Sequence, residues 1–83
     1  MYTVSFEKQV LKFLSKLDKN TSKRIIDKIK LLKDNPFPSD SKKLVNIEKS
    51  FRIRVGKFRI LYRIEKRKII IVFMIDKRDK VYQ

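Results

Sequence analysis

The stretch from Phe51 to Ile64 alternates apolar and polar residues on both sides of a Gly-Lys pair. Such alternation predicts two half-buried antiparallel strands, and the pair between them predicts the tight turn of a hairpin. Gly56 occupies the first loop position, which requires a positive φ in a type II′ turn. A loop of two residues fixes the register, and the predicted partners across it are Val55 with Phe58, Arg54 with Arg59, Ile53 with Ile60, and Arg52 with Leu61.

The two faces of this hairpin differ in chemistry. One face is apolar and carries Phe51, Ile53, Val55, Phe58, Ile60, Tyr62 and Ile64. The other, which we call the arginine face, carries Arg52, Arg54, Arg59, Leu61 and Arg63. Like charges directly opposite each other destabilise an antiparallel pair, so a purely structural sheet explains Arg54 and Arg59 poorly. A guanidinium fork binds phosphate oxygens in bidentate fashion, and the arginine face therefore predicts a polyanion site.

Composition narrows the classes of function. A length of 83 residues predicts a single domain over residues 1–83. The chain holds neither cysteine nor histidine, the commonest thiolate and imidazole ligands, so we expect no metal site and no small-molecule cofactor. The formal net charge of +14 predicts an anionic partner, with nucleic acid ahead of an acidic protein.

The chain before the hairpin predicts a short strand and two helices. Residues 2–6 alternate weakly and predict the strand, and apolar residues at helical spacing predict helices over about 7–17 and 21–32. Candidate N-caps are Ser5 for the first helix and Asn20 or Thr21 for the second. Two prolines in residues 34–41 predict a loop. Residues 42–49 fit either a strand or a turn of helix.

After the hairpin, the sequence predicts a turn near Lys66 and Arg67 and then a further strand. The run from Ile69 to Ile75 is apolar at every position, which is typical of a central strand. Simple alternation places Ile69, Ile71, Phe73 and Ile75 on the apolar face. It places Ile70, Val72, Met74 and Asp76 on the arginine face, with Arg78 next in the same series.

Together these elements predict an α+β domain with a short N-terminal strand and a two-helix hairpin. The helices are expected to pack on one face of a small antiparallel sheet of about four strands, with the arginine face open. The longest apolar run is far too short to span a bilayer, and no signal peptide is visible. We therefore expect a cytoplasmic protein with no membrane partner.

The hairpin contains a motif that resembles the RelE/ParE superfamily of type II toxins. It runs Arg52-Ile-Arg54-Val-Gly-Lys-Phe-Arg59-Ile-Leu-Tyr62, with Asp76-Lys77-Arg78 and Val81-Tyr82 after it. The resemblance covers nearly the whole chain and implies a RelE-like fold and a cognate antitoxin. Its RelE branch cleaves mRNA in the ribosomal A site, which implies the ribosome with its mRNA as a partner, whereas its ParE branch inhibits DNA gyrase.

By matching position, the resemblance also implies roles for individual residues. Arg52 and Arg54 match the basic pair of the second strand, and Arg59 matches the phosphate-binding arginine of the third. Arg78 matches the late arginine and Tyr82 the terminal tyrosine. The full set favours the RelE branch, because the ParE branch does not keep it. The chain departs from the family twice, since the basic pair is often lysine and the late motif often reads Gly-His-Arg or Gly-Lys-Arg.

Metal-independent cleavage by attack of the 2′-hydroxyl on the adjacent phosphate needs a base, a cluster of positive charge and an acid. Arg59 and Arg78 are the expected phosphate clamps, and Arg54 either shares that role or donates to the leaving oxygen. An arginine cannot lose its proton, so the proton acceptor stays open between Tyr82, Lys77 and groups of the substrate or ribosome. The predicted catalytic set is Arg54, Arg59, Arg78 and Tyr82, with RNA contacts from Arg52, Lys43, Lys49, Lys57 and Lys77.

Simpler interpretations accompany these assignments. Arg52 and Arg63 fit ordinary exposed strand positions, and Tyr62 fits the core. Tyr82 fits either a packing role or stacking on a base of the substrate. Two other functions also fit the sequence, namely a gyrase inhibitor of the ParE kind and a small basic RNA-binding module without toxicity.

Overall fold

The computed structural model describes residues 1–77, which form two helices and a five-stranded sheet of strand order β1-β5-β4-β3-β2. The elements are β1 (Thr3–Phe6), α1 (Lys8–Ser15), α2 (Lys19–Leu31), β2 (Lys42–Lys43), β3 (Ser50–Val55), β4 (Phe58–Glu65) and β5 (Ile69–Lys77). The α+β class is confirmed. The sheet has one strand more than expected, because residues 42–43 form a short edge strand, and β1 pairs with β5 in parallel while the other pairs are antiparallel.

The β3–β4 hairpin has the predicted register. Arg54 pairs with Arg59 across a loop that consists of Gly56 and Lys57. Gly56 has a φ of 57°, whereas Lys57 is not among the residues with positive φ, as a type II′ turn requires. The apolar side chains of both strands therefore face the helices, and the arginine face points the other way.

Both helices begin at residues other than the predicted caps. Asp18 caps α2, and its carboxylate accepts a hydrogen bond from the Thr21 backbone N–H at 3.1 Å. Hydrogen bonds from Thr21 hold the pKa of the Asp18 carboxyl below its ordinary value. Glu7 occupies the cap position of α1 without a side-chain bond, because Ser5 is still part of β1 and pairs with Ile71. The cap assignments from sequence were wrong by two or more positions in both helices.

A bulge interrupts the pairing of β4 with β5. Leu61 pairs with Met74 and Tyr62 pairs with Val72, which leaves Phe73 as an extra residue. A bulge of one residue exchanges the two faces of a strand, because side chains alternate along it. Simple alternation therefore cannot hold along the whole of β5.

The predicted faces of β5 are correct on one side of this bulge and wrong on the other. Ile75 faces the helices as predicted, and Met74 and Asp76 lie on the arginine face. On the N-terminal side of the bulge, the assignment is reversed. Ile70 and Val72 are fully buried on the helix face, and Ile69, Ile71 and Phe73 lie on the other.

The core lies between the helices and one face of the sheet. Its buried members are Val10, Leu14, Ile25, Ile29, Leu32, Ile53, Ile60, Tyr62, Ile70, Val72 and Ile75. Within residues 1–77, no helix is long and apolar enough to cross a membrane. The second face of the sheet carries the arginines, and no helix formed by residues 1–77 covers it.

Tyr62 fixes the loop after α2 to this core. Its side chain is fully buried, and its hydroxyl donates a hydrogen bond to the Pro36 carbonyl oxygen at 2.6 Å. Burial raises the pKa of Tyr62 to about 12. The structural role predicted for this residue is therefore confirmed.

We predict that Tyr62→Phe destabilises the protein by about 1–3 kcal/mol at neutral pH, because the Pro36 carbonyl loses its buried donor. The pKa of Tyr62 is higher in the folded state, so its contribution is present below pH 10 and is lost as the pH rises from about 10 to about 12. The difference between wild type and variant in urea unfolding should shrink across this window. A difference that stays constant from pH 7 to pH 12 would contradict the assignment to the hydroxyl.

Tyr2→Phe is the matched control for this experiment. Among residues 1–77, the Tyr2 hydroxyl makes no hydrogen bond, and its ring is only partly buried. Its loss should change the free energy of unfolding at neutral pH by no more than about 0.5 kcal/mol.

Candidate functional site

The arginine face is organised in rows that run across the strands. The row nearest the Gly56 turn holds Arg54, Arg59 and Asp76, on β3, β4 and β5 respectively. The next row holds Lys42, Arg52, Leu61 and Met74, on β2, β3, β4 and β5 respectively. Paired residues on neighbouring strands lie about 5 Å apart, so each row places several functional groups within reach of one nucleotide.

Arg59 has a carboxylate partner on the same face. Its Nη2 atom lies 2.9 Å from Oδ2 of Asp76 and its Nε atom lies 3.3 Å from Oδ1, which makes the pair bidentate. The carboxylate offsets the repulsion between Arg54 and Arg59. The like-charge argument for a polyanion ligand is therefore weaker at Arg59 than the sequence indicated.

Arg54 differs from its neighbour. Its side chain is exposed, and among residues 1–77 it makes no salt bridge. Arg52 is half-buried beside Lys42, and neither of these side chains makes a salt bridge within the same residues. Among residues 1–77, the structure thus brings together three cations that have no carboxylate partner, namely Arg54, Arg52 and Lys42. They lie next to Arg59, which is paired with Asp76.

Arg63 lies on the same side of the sheet but serves a structural role. Its guanidinium donates to Glu65 at 2.7 Å and to Glu7 at 3.2 Å, and it lies 5.6 Å from the centroid of the Phe73 ring. The hydrogen bond to Glu65 is the main reason that the pKa of Arg63 is raised. Its interactions tie β4 to β5 and to the start of α1.

The lysines predicted to contact RNA do not share one surface. Lys43 pairs with Phe51 and Lys77 pairs with Phe58, so both lysines lie on the helix side of the sheet. Lys57 lies in the turn beside the first arginine row. Lys49 lies one residue before β3 and therefore at the other end of the sheet, ~17 Å along the strand from Arg54 at about 3.3 Å per residue.

Two predicted catalytic residues, Arg78 and Tyr82, lie outside the described residues 1–77. Their roles remain predictions from the resemblance. Tyr62 cannot replace Tyr82 as a proton acceptor, because it is buried on the helix face and its pKa is raised to about 12.

Sequence reasoning missed one ion pair of the arginine face. Asp76 was placed on this face but not paired with Arg59, because that pairing depends on the register of β5 and on its bulge. Lys42 was expected at the rim of this face, but its pairing with Arg52 was not predicted, because residues 42–49 show no regular alternation and β2 is defined only by its pairing with β3.

The surface also offers apolar contacts between its cations. Leu61 is nearly buried, whereas Met74 is 43% exposed and lies next to it in the second row. Apolar side chains flanked by guanidinium groups provide a platform for a base beside sites for its phosphates. The arrangement is suited to binding a single-stranded nucleic acid.

Comparison with known proteins gives consistent results. The sequence profile of the ParE toxins of type II toxin–antitoxin systems matches residues 2–82. A protein of Methanocaldococcus jannaschii, provisionally named toxin RelE1, is 35% identical over an alignment of 86 positions, which covers 99% of this chain and 96% of that protein. Both matches cover nearly the whole chain.

Solved structures share the fold. The archaeal RelE–RelB complex of Pyrococcus horikoshii OT3 contains a chain that superposes with a TM-score of 0.83 at 29% identity, over 96% of this chain and 98% of that one. The isolated RelE toxin of E. coli superposes with a TM-score of 0.82 over 96% of this chain and 87% of that one. Its identity of 19% supports likeness of fold alone.

We predict that Asp76→Asn strengthens binding of a short oligouridine several-fold at low salt, because the Arg59 fork loses its internal carboxylate. One additional phosphate contact should steepen the dependence of log Kd on log salt by about 0.7. Fluorescence anisotropy over a salt series measures both effects.

Asp27→Asn is the control for net charge. Asp27 pairs with Lys23 on the exposed surface of α2, so its loss changes the net charge equally but away from the arginine face. Equal effects of the two substitutions, or weaker binding by the Asp76 variant, would show that Asp76 does not compete with RNA for Arg59.

Proposed function

Since the chain belongs to the RelE/ParE superfamily of type II toxins, on its RelE-like branch, we propose that it is a ribosome-dependent endoribonuclease that cleaves mRNA in the A site. The observation that carries the proposal is a sheet face, not covered by either helix of residues 1–77, on which Arg52, Arg54 and Arg59 lie in adjacent rows. This face offers a surface for a single strand and guanidinium groups for its phosphates.

In the proposed reaction, the 2′-oxygen of one nucleotide attacks the phosphorus of the next linkage, and the 5′-oxygen leaves. The proton of the 2′-hydroxyl passes to a base, and the leaving oxygen takes up a proton from an acid. Arg54 and Arg59 stabilise the charge that develops on the phosphate oxygens, together with Arg78. The products are a 2′,3′-cyclic phosphate and a 5′-hydroxyl.

The identity of the base is the open part of this scheme. Tyr82 is the candidate that the resemblance provides, beside groups of the substrate and the ribosome. Lys77 is less suitable, because it pairs with Phe58 and lies on the helix side of the sheet. The structure adds Asp76 as a further candidate for the base, because its carboxylate lies on the arginine face and accepts a hydrogen bond from Arg59.

We also propose a cognate antitoxin as partner and the cytoplasm as the place of action, where translating ribosomes are found. The Pyrococcus horikoshii relative was solved as a complex of RelE with RelB. A formal net charge of +14 favours a partner with acidic segments, since mutual neutralisation relieves the self-repulsion of each chain.

A second candidate follows from the profile match, which is to ParE toxins. Under this alternative, the protein inhibits DNA gyrase and its arginine face has no catalytic role. The two functions leave different traces in cells that express the toxin alone. Cleaved mRNA with 5′ ends at A-site positions indicates the ribonuclease, whereas DNA damage signals with intact mRNA indicate the gyrase inhibitor.

We predict that Arg54→Ala combined with Arg59→Ala abolishes growth arrest in cells that express the toxin without an antitoxin. Loss of one charge-stabilising donor typically costs about 10²–10³-fold in rate, so mRNA cleavage should fall at least by that factor. Growth curves and mapping of mRNA 5′ ends measure the effect, and circular dichroism checks that the fold survives.

The control carries Lys12→Ala and Lys30→Ala, which remove the same charge from exposed positions on the two helices. This variant should arrest growth as the wild type does. A fully toxic arginine variant, or a control that loses toxicity to the same extent, would contradict the proposed site.

A further inference from the structure

A cavity of about 460 Å³ opens at the end of the sheet where β3 begins and β4 ends. Its walls are formed by the apolar side chains of Tyr2, Phe37, Phe51 and Ile64. Phe51 pairs with Tyr62 and Ile64 pairs with Ile70, so the cavity lies on the helix side of the sheet. It is therefore on the opposite face from the arginine rows, ~17 Å further along β4 from Arg59 to Ile64.

The aromatic wall is held in place although one of its rings is exposed. Phe37 is 51% exposed and packs edge-on against Phe51, with ring centroids 5.1 Å apart. Phe51 in turn stacks on the buried ring of Tyr62 at 5.8 Å. The Phe37 backbone N–H donates to Asn35 Oδ1 at 3.1 Å, and the Tyr62 hydroxyl binds the Pro36 carbonyl, so the loop on the N-terminal side of Phe37 is fixed. The protein thus presents a preorganised apolar pocket with part of its surface uncovered.

The rim of the cavity is cationic. Lys49, Arg67 and Lys68 line it, and among residues 1–77 no carboxylate does. None of these three cations forms a salt bridge within residues 1–77, and Lys68 lies over the ring of Tyr2 at 5.6 Å. A ligand that is apolar at its centre and negatively charged at its edges would complement both features.

Two of the rim cations have a strained backbone. Lys49 has a φ of 55° and Arg67 a φ of 68°, in the left-handed region that glycine and asparagine adopt more easily. Glycine at either position would relieve the strain and would remove the positive charge. Lys66 lies in the same turn as Arg67 and also has a positive φ, of 47°, but it does not line the cavity. The strain at Arg67 therefore belongs to the turn between β4 and β5, and it is the charge of Arg67 that bears on the cavity.

We propose that this cavity docks an acidic segment of a polypeptide partner, which inserts one large apolar side chain between Phe37, Phe51 and Ile64. Carboxylates on either side of the inserted residue pair with Lys49 and Arg67. Polypeptide fits better than nucleic acid, because among residues 1–77 the lining offers no hydrogen-bonding side chain other than the rim cations and the Tyr2 hydroxyl to read a base. The inference rests on the proposed function in one respect, since it takes the antitoxin as the source of the segment.

The position of the cavity gives this docking a specific consequence. A segment anchored there holds the antitoxin on the toxin without itself covering Arg54 or Arg59. Variants of the cavity at Phe37 and Arg67 should therefore retain toxicity and lose neutralisation, whereas variants of the arginine face lose toxicity.

The test compares two substitutions in the same turn. Arg67→Gly and Lys66→Gly each remove one positive charge and one residue with positive φ, but only Arg67 lines the cavity. The probe is the purified antitoxin expressed from the reading frame next to that of the toxin, and calorimetry gives the Kd. Arg67→Gly should raise the Kd at least tenfold, and Lys66→Gly should leave it within about twofold of wild type.

A second pair of variants tests the apolar anchor. Phe37→Ser should raise the Kd at least tenfold, and Leu31→Ser, which removes a comparably exposed apolar side chain from α2, should not. All four variants should still arrest growth in the absence of antitoxin, which also shows that they fold.

Unchanged antitoxin affinity in both Arg67→Gly and Phe37→Ser would overturn the proposal. So would a loss of oligouridine binding and of toxicity in these variants with neutralisation intact, because the cavity would then belong to a nucleic-acid site. Failure of the ribonuclease proposal has a different signature, namely growth arrest without A-site cleavage by the wild type, and leaves the affinity measurements interpretable.

Discussion

The register of the β3–β4 hairpin is the constraint on which both surfaces of this protein depend. Gly56, with a φ of 57°, closes a loop of two residues, and every side chain of the two strands is assigned to a face from that point. A slip of one residue would bury Arg54 and Arg59 beneath the helices and expose the isoleucines that now fill the core. Burial of unpaired guanidinium groups is prohibitively costly, so this sequence is compatible with one register only.

The hairpin could be predicted from sequence because both of its signals are local, an alternation and a glycine at the loop. The faces of β5 were predicted correctly only on the C-terminal side of its bulge, because the run from Ile69 to Ile75 is apolar at every position and its sequence carries no signal of the bulge. Its bulge at Phe73 is set by the partner strand. For related reasons, β2 was left open between a strand and a turn of helix, and the Asp18 cap was missed. The strand exists only by its pairing with β3, and the cap depends on where the helix geometry begins.

In the candidate site, too, the features that depend on local sequence were predictable, and those that depend on pairing between distant segments were not. The arginine rows follow from the alternation of side chains along β3 and β4 and were predictable, as was the presence of Asp76 on the same face. The ion pair of Asp76 with Arg59 needed the register of a third strand, and the orientation of a lysine at a strand end changes with a shift of a single residue. This is why Lys42 lies beside Arg52 on the arginine face, whereas Lys43 and Lys77 lie on the helix side of the sheet.

The pair of Asp76 and Arg59 reconciles a stable sheet with a phosphate-binding one. Without a ligand, the carboxylate holds the guanidinium in a bidentate geometry and offsets the charge of Arg54. A phosphate that replaces the carboxylate finds the fork already oriented, so little side-chain entropy remains to be lost. The same carboxylate competes with any phosphate that arrives, and a free RNA strand must also lose its own translational freedom. Under the proposed function, an mRNA already held by the ribosome does not bear that cost, so the internal carboxylate favours the ribosome-bound substrate over free RNA.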